Sequence, residues 1–193
     1  MTLSSRFTDA LAFAAQLHAG QFRKGTPTPY LAHLLGVAGL VIEQGATEDE
    51  AIAALLHDAV EDQGGAATRE EIRRRFGETV AAIVDGCTDT DETPKPPWRE
   101  RKEKYLAQVR TASPSVRLVT AADKLHNART ILTDYRALGE AVWDRFSGGR
   151  DGTLWYYRAL VDALRAAGSH ALVEELDRAV TELERQARAW AVV

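Results

Sequence analysis

Residues 48–62 read EDEAIAALLHDAVED, and Thr47 stands immediately before them. Thr47 followed three residues later by Glu50 is a capping box, the signature of a helix N-terminus. Ala51, Ile52, Leu55 and Leu56 then recur at helical spacing, so the stretch predicts one helix running through to Asp62. Side chains four apart on a helix lie one above the other, which puts Glu61 over His57 and Asp62 over Asp58. Three carboxylates crowded beside an imidazole repel one another, so this pattern does not serve helix stability. A divalent cation resolves the repulsion, and an imidazole with carboxylate oxygens suits Mn, Fe, Co, Ni or Zn better than Mg.

Working outward, helical signals recur and strand signals are scarce. Ser4 or Ser5 caps a first helix through Leu17, with Phe7, Leu11, Ala14 and Ala15 on one face. A polar loop, Arg23 to Pro29, precedes a second helix from about Tyr30 to Glu43. Gly64-Gly65 breaks the third helix, and Thr68 with Glu71 forms another capping box that opens REEIRRRF. ETVAAIVDGCT reads as the next helix, and the acidic, proline-bearing stretch Asp89–Pro97 as a long loop. Pro114 opens a helix through Tyr135, Gly148, Gly149 and Gly152 mark a break, and two further helices complete the chain. The expectation is an all-α helical bundle, residues 1–193 forming a single domain.

One helix cannot supply a full coordination sphere. His33, in the apolar run of the second helix, and Asp123, a carboxylate within AADKL, are the further candidates. Unpaired charge in such a core-facing stretch is costly, and a metal would offset it. On its own, a histidine such as His33 on an apolar helix is more often a hydrogen-bonded core residue than a ligand, and an acidic helix end reads equally as a solvated surface. His18 and His126 read as structural or supporting residues, and His170 as an exposed helix start. Arg73, Arg74 and Arg75 read as a solvated face. Arg150, Tyr156 and Tyr157 are weaker candidates for a base-binding wall, since a Trp-Tyr-Tyr run on a helix is more often core packing.

A net charge of -4 argues against a general nucleic-acid binder. Cys87 is the only cysteine, which excludes an intrachain disulfide and fits a reducing compartment. Neither a signal-peptide pattern nor a run of about 20 apolar residues is evident, so a cytoplasmic location and no membrane partner are expected. No Walker-type glycine loop occurs.

AAQLHAGQFRKGTP, PYLAH, LLHDAVED, FGETVAAIVDGCT and AADKLHNART follow one another in that order. Together they resemble the hydrolase domain of the RelA/SpoT family, above all its single-domain members, the small alarmone hydrolases. The resemblance spans about residues 7–135; residues 136–193 follow it only loosely, through TLWYYRAL. It implies a helical fold of the HD superfamily that binds one divalent ion, Mn²⁺ above all, through His33, His57, Asp58 and Asp123. It also implies that Glu61 and Asp62 are the acidic pair handling the hydrolytic water, Glu61 as its partner and Asp62 assisting. The chain is too short to carry the family's synthetase and regulatory domains beside this one. Leu34 stands where the family often has proline, and GTPTPY replaces its usual SGEPY-like run.

The implied reaction removes the 3′-pyrophosphate from (p)ppGpp, giving GDP or GTP and pyrophosphate. A small guanine nucleotide is thus the expected partner, and no oligomeric state is implied. Such a polyanion needs cations, and the resemblance sets Arg23 and Lys24 against it. Asn127 and Thr130, four and seven residues after Asp123, share its face and could touch ribose or phosphate. A different phosphorylated nucleotide, such as NADPH at its 2′-phosphate or a nucleoside phosphate, is the alternative substrate. A non-catalytic alarmone-binding module is the alternative of another class, but it would not need Glu61 and Asp62. The segment from Asp89 to Glu92 is a candidate cover for the site.

Overall fold

Ser4 Oγ accepts the backbone N–H of Arg6 at 3.2 Å and so caps α1, Ser5–Leu17. The protein is described here by a computed structural model covering residues 2–92, 94–168 and 170–190. Its described residues are helical apart from turns, loops and one isolated antiparallel bridge, Phe22 to Pro29. No described helix is long and apolar enough to cross a membrane. The chain divides into two compact units, Met1–Lys95 with Ala112–Ala122, and Pro96–Thr111 with Asp123–Val193.

In the first unit, α3, Glu48–Leu56, is the central element. The Thr47–Glu50 capping box is present in both directions. Every residue from Ala51 to Leu56 is fully buried, a wider apolar surface than the single face read from the sequence. A helix buried all round has neighbours on several sides, here α1, α2 (Leu31–Glu43) and α6 (Glu78–Cys87). The buried face of α1 is Ala10, Phe13 and Ala14, rotated from the predicted Phe7–Leu11 stripe, because Phe13 meets Phe76 with ring centroids 6.0 Å apart.

Two expectations need correction. The helix does not run unbroken to Asp62: α3 stops at Leu56, and a four-residue α4, Ala59–Asp62, follows the flattened turn at Asp58, where ψ is -2°. Thr68 does not cap a helix either. Gly64, with φ of +108°, and Gly65, with φ of +57°, reverse the chain at once, a conformation that costs glycine little. α5 therefore begins at Gly65 and runs to Phe76, and the Thr68 hydroxyl donates to the Gln63 carbonyl from inside the helix. Glu71 instead accepts from Arg74 and Arg75.

The second unit contains α7, Trp98–Thr111, which the sequence reading passed over. Its 14 residues are so rich in charge that only Tyr105, Leu106 and Val109 are buried. α7 packs on α9, Gly149–Ala167, and α9 on α10, Ala171–Trp190, with a 3₁₀ segment at Gly139–Arg145 beside them. The predicted break at the glycines is only partial, since Gly152 lies inside α9. A Cβ on Gly148 would meet the Trp98 indole at 2.7 Å, and one on Gly152 at 3.2 Å, so both glycines make room for that ring. α8, Pro114–Leu138, begins in the first unit and ends in the second.

Candidate metal centre and its surroundings

Three of the predicted ligands converge in the first unit. Donor atoms of His33, His57 and Asp58 all lie within 4.8 Å of one another. Both imidazoles are buried, on α2 and at the end of α3, while Asp58 keeps partial solvent contact. The chain places them by its backbone: His57 Nδ1 lies 2.8 Å from the Ala54 carbonyl, an acceptor, so the ring proton belongs there. A neutral His57 then presents a lone pair at Nε2, which faces Asp58 Oδ2 at 3.0 Å. His33 Nε2 lies 3.6 Å from the same oxygen. The His57 lone pair and the carboxylate oxygen are both acceptors, so they face each other at this distance only with a positive charge between them. One proton would serve one pair; a divalent cation serves all three donors, and this nitrogen–oxygen donor set fits such an ion.

The carboxylate is itself oriented. Tyr30, directly before α2, donates its hydroxyl proton to Asp58 Oδ2 at 2.5 Å. Its ring stacks on buried His18 at 5.3 Å and meets His33 edge-on at 5.4 Å.

The acidic pair follows the flattened turn. The Asp62 N–H bonds the Asp58 carbonyl at 3.0 Å, so one backbone turn separates Asp62 from the candidate ligand. Glu61 Oε1 accepts from Lys95 Nζ at 2.9 Å, and Glu61 Oε2 from the Asp89 N–H at 3.4 Å. The segment after α6 thus touches Glu61 at both ends. Asp62 Oδ2 accepts from Gln21 Nε2 at 2.8 Å. Although Asp62 reaches the surface, crowding around its carboxyl raises its pKa, and the Asp58 charge adds to this; the Gln21 hydrogen bond opposes both.

Arg23 and Lys24 lie at the tip of a loop closed by the Arg23 N–H to Thr28 carbonyl bond at 2.8 Å and the Tyr30 N–H to Gln21 carbonyl bond at 2.9 Å. The Arg23 guanidinium sits 5.7 Å from the Tyr30 ring centroid, while Lys24 is exposed beside an open depression lined by residues 22–27. Arg23 is thereby tied to the ring that orients Asp58.

Asp123, Asn127 and Thr130 belong to the second unit. Asp123 is 5% exposed; its Oδ1 accepts from Asn127 Nδ2 at 2.6 Å and its Oδ2 from Lys124 Nζ at 2.5 Å. Burial alone would lower the Lys124 pKa, but the Asp123 charge and the hydroxyls of Tyr156, Tyr105 and Tyr157 outweigh it and hold it well above its usual value. The Thr130 hydroxyl donates to the His126 carbonyl within α8 at 2.9 Å, which spends its proton inside the helix.

The remaining candidates have structural work. Tyr156 and Tyr157 are buried against each other with ring centroids 5.8 Å apart. Arg150 donates to the Ala187 carbonyl at 2.5 Å and faces Glu140 at 3.8 Å. Arg73, Arg74 and Arg75 pair with Glu70, Glu71 and Glu78 on the surface. The His170 ring accepts the Leu172 N–H at 3.2 Å at the start of α10. Sequence reasoning missed Tyr30, Gln21, Lys95 and Lys124. Tyr30 and Lys124 each adjoin a recognised motif residue, a signal that was present; Lys95, in a loop far along the chain from Glu61, offered none.

Comparison with known proteins bears on this arrangement. Residues 10–154 match the family model described as HD domain. Proteins named guanosine-3′,5′-bis(diphosphate) 3′-pyrophosphohydrolase MESH1 from Xenopus tropicalis and Homo sapiens are 42% and 37% identical to this chain. Those matches cover 64% and 66% of this chain, and 68% and 70% of the two relatives. A solved structure described as "A metazoan ortholog of SpoT hydrolyzes ppGpp and plays a role in starvation responses" superposes with a TM-score of 0.79 at 29% identity, covering 95% of this chain and 98% of that one. The family match runs through α2 and α3 and carries the His57-Asp58 pair with it, and the chain belongs to the HD domain family.

Proposed function

We propose that the protein is a divalent-metal-dependent (p)ppGpp 3′-pyrophosphohydrolase that works with Mn²⁺. The convergence of His33, His57 and Asp58, with an acidic pair one turn further on, carries this reading. The likeness to pyrophosphohydrolases of that name supports the substrate. His33, His57 and Asp58 would hold the ion, with Asp123 as the further ligand that the family resemblance implies. When bound, the ion supplies positive charge to the phosphoryl oxygens and acidifies water.

The chain's own residues do the rest. Water attacks the phosphorus carried on the 3′ oxygen, the bond from that phosphorus to the 3′ oxygen breaks, and pyrophosphate leaves. Glu61 or Asp62 takes the proton given up by the water, and the departing 3′ oxygen gains one to become the hydroxyl of GDP or GTP. Arg23 and Lys24 supply cations for the substrate's phosphates, and Arg23 can also stack its planar guanidinium on a base. Asn127 and Thr130 are assigned to ribose or phosphate on the resemblance, Asn127 also steadying Asp123.

Incubating the purified protein with ppGpp and Mn²⁺, with and without chelator, tests the reading. GDP and pyrophosphate formed only with metal are expected. Orthophosphate release from NADPH, without ppGpp turnover, would assign a different nucleotide. Tight ppGpp binding without turnover would leave an alarmone-binding module.

A further inference from the structure

Gln21 lies outside the acidic and histidine motifs, in the turn after α1, yet its side-chain amide is engaged on both sides. Nε2 donates to Asp62 Oδ2 at 2.8 Å. Oε1 lies 2.6 Å from His18 Nδ1 and accepts from Gln63 Nε2 at 2.7 Å. The orientation of this amide follows from chemistry. An ionised Asp62 can only accept, so the amide must turn its nitrogen toward Asp62 and its oxygen toward the other two. That oxygen can only accept as well, which puts the His18 ring proton on Nδ1. His18 is 3% exposed and stacks on Tyr30, with an angle of 19° between the rings. Tyr30 in turn holds Asp58.

Building on the proposed hydrolase reading, we infer that Gln21, locked by His18 and Gln63, is a positioning residue that fixes the Asp62 carboxylate for proton transfer. Asp62 lies on a four-residue helix and reaches the surface. Its staggered χ1 and broad χ2 would otherwise let the carboxylate explore several directions. A single hydrogen bond from a side chain that is itself held at two further points, His18 and Gln63, restricts that freedom. His18 thereby braces both acidic groups, Asp62 through Gln21 and Asp58 through Tyr30. The sequence supplies the spacing: the Gln21 N–H bonds the His18 carbonyl at 3.0 Å, so the turn that ends α1 brings the two side chains together.

A double-mutant cycle on the metal-loaded protein tests this. Wild-type turnover and its loss in Asp62→Ala test the hydrolase reading. Gln21→Met keeps the length of the side chain and removes all three hydrogen bonds. It should lower kcat by about tenfold, with KM and metal content within about twofold. In the Asp62→Ala background the same change should have no further effect, because the group it positions is gone. An equal kcat loss in both backgrounds would mean that Gln21 acts by another route, and an unchanged kcat in Gln21→Met would overturn the inference outright. If Asp62→Ala turns over like wild type, Asp62 has no role and the inference falls with it. Should Gln21→Met fail to fold, nitrogen NMR of wild-type His18 still decides. A proton on Nδ1 supports the network, and a neutral ring protonated on Nε2 overturns it.

Discussion

Tyr30 and Asp58 are 28 residues apart in the chain, yet the tyrosine hydroxyl meets the aspartate Oδ2 at 2.5 Å. A hydrogen bond to a carboxylate ligand fixes which oxygen, and which lone pair, faces the ion. Losses of such supporting partners cost about 10–100-fold in metal affinity or activity. Tyr30→Phe keeps the ring that stacks on His18 and meets His33, and deletes only the hydroxyl. Weaker Mn²⁺ binding of that order, at little change in thermal stability, is expected from metal titration of the apo-protein.

His57→Ala and Asp123→Ala should each lose metal and activity together. Elemental analysis of the purified variants checks this, and full occupancy in Asp123→Ala would remove that residue from the ligand set. The two changes also leave different orphans. His57→Ala frees the Ala54 carbonyl, whereas Asp123→Ala leaves the Lys124 ammonium among tyrosines without its carboxylate. Lys124 keeps some solvent contact, so its stripped charge costs less than the roughly 3–5 kcal/mol of a fully buried one, yet Asp123→Ala should be the less stable protein in urea unfolding.

Glu61→Gln and Asp62→Asn keep shape and hydrogen-bonding reach but cannot take a proton at neutral pH. Metal content and ppGpp affinity should persist while kcat falls about 10²-fold or more, read by single-turnover kinetics. Near-normal turnover in both would end their assignment as proton handlers.

Arg23→Ala and Lys24→Ala should raise KM with metal content unchanged; stability should stay within about 0.5 kcal/mol for exposed Lys24, and fall somewhat more for half-buried Arg23, which loses its contact with Tyr30. Lys95→Ala releases Glu61 from its ion pair, so steady-state kinetics should report a changed kcat there, not a changed KM alone.

In the second unit, Arg158 on α9 donates to both Glu184 carboxylate oxygens, at 3.0 and 2.9 Å, and to Asp177, all on α10. Arg165 adds a bond to Asp177 at 2.9 Å. Burial pushes the Asp177 pKa up, but the hydrogen bonds from Arg158 and Arg165 outweigh it and leave it lowered. A carboxyl lowered on folding stabilises the protein above its unfolded pKa, about 3.9, and that contribution is lost as pH falls through the folded value. Asp177→Asn should therefore cost about 1 kcal/mol at pH 7, the scale for a partly exposed pair. Urea denaturation should show the gap between variant and wild type closing below about pH 4.

Helix existence was legible where a cap preceded an apolar run, as at α1 and α3, and from the apolar run alone at α2. It failed at α7, whose buried positions are too few among its charges, and at Thr68, where a capping pattern inside a helix imitates one at its start. The chemistry of the site was legible because histidine and carboxylate are unusual neighbours in an apolar helix. The roles of Gln21 and Lys95 were not, since each acts on a residue at least 34 positions away, and such pairings are set by packing instead of local spacing.

The flattened turn at Asp58 has a further consequence for how this chain can vary. The distance from candidate ligand to proposed proton handler is measured out by backbone, through the bond from the Asp62 N–H to the Asp58 carbonyl. Ala59 and Val60 fill the interval and are buried. Their side chains are open to exchange among small apolar types, but their number is not. Inserting or deleting one residue there would swing the acidic pair by roughly 100° about the helix axis, as the 3.6-residue turn requires. The two-residue interval should therefore tolerate drift in spelling while keeping an invariant length.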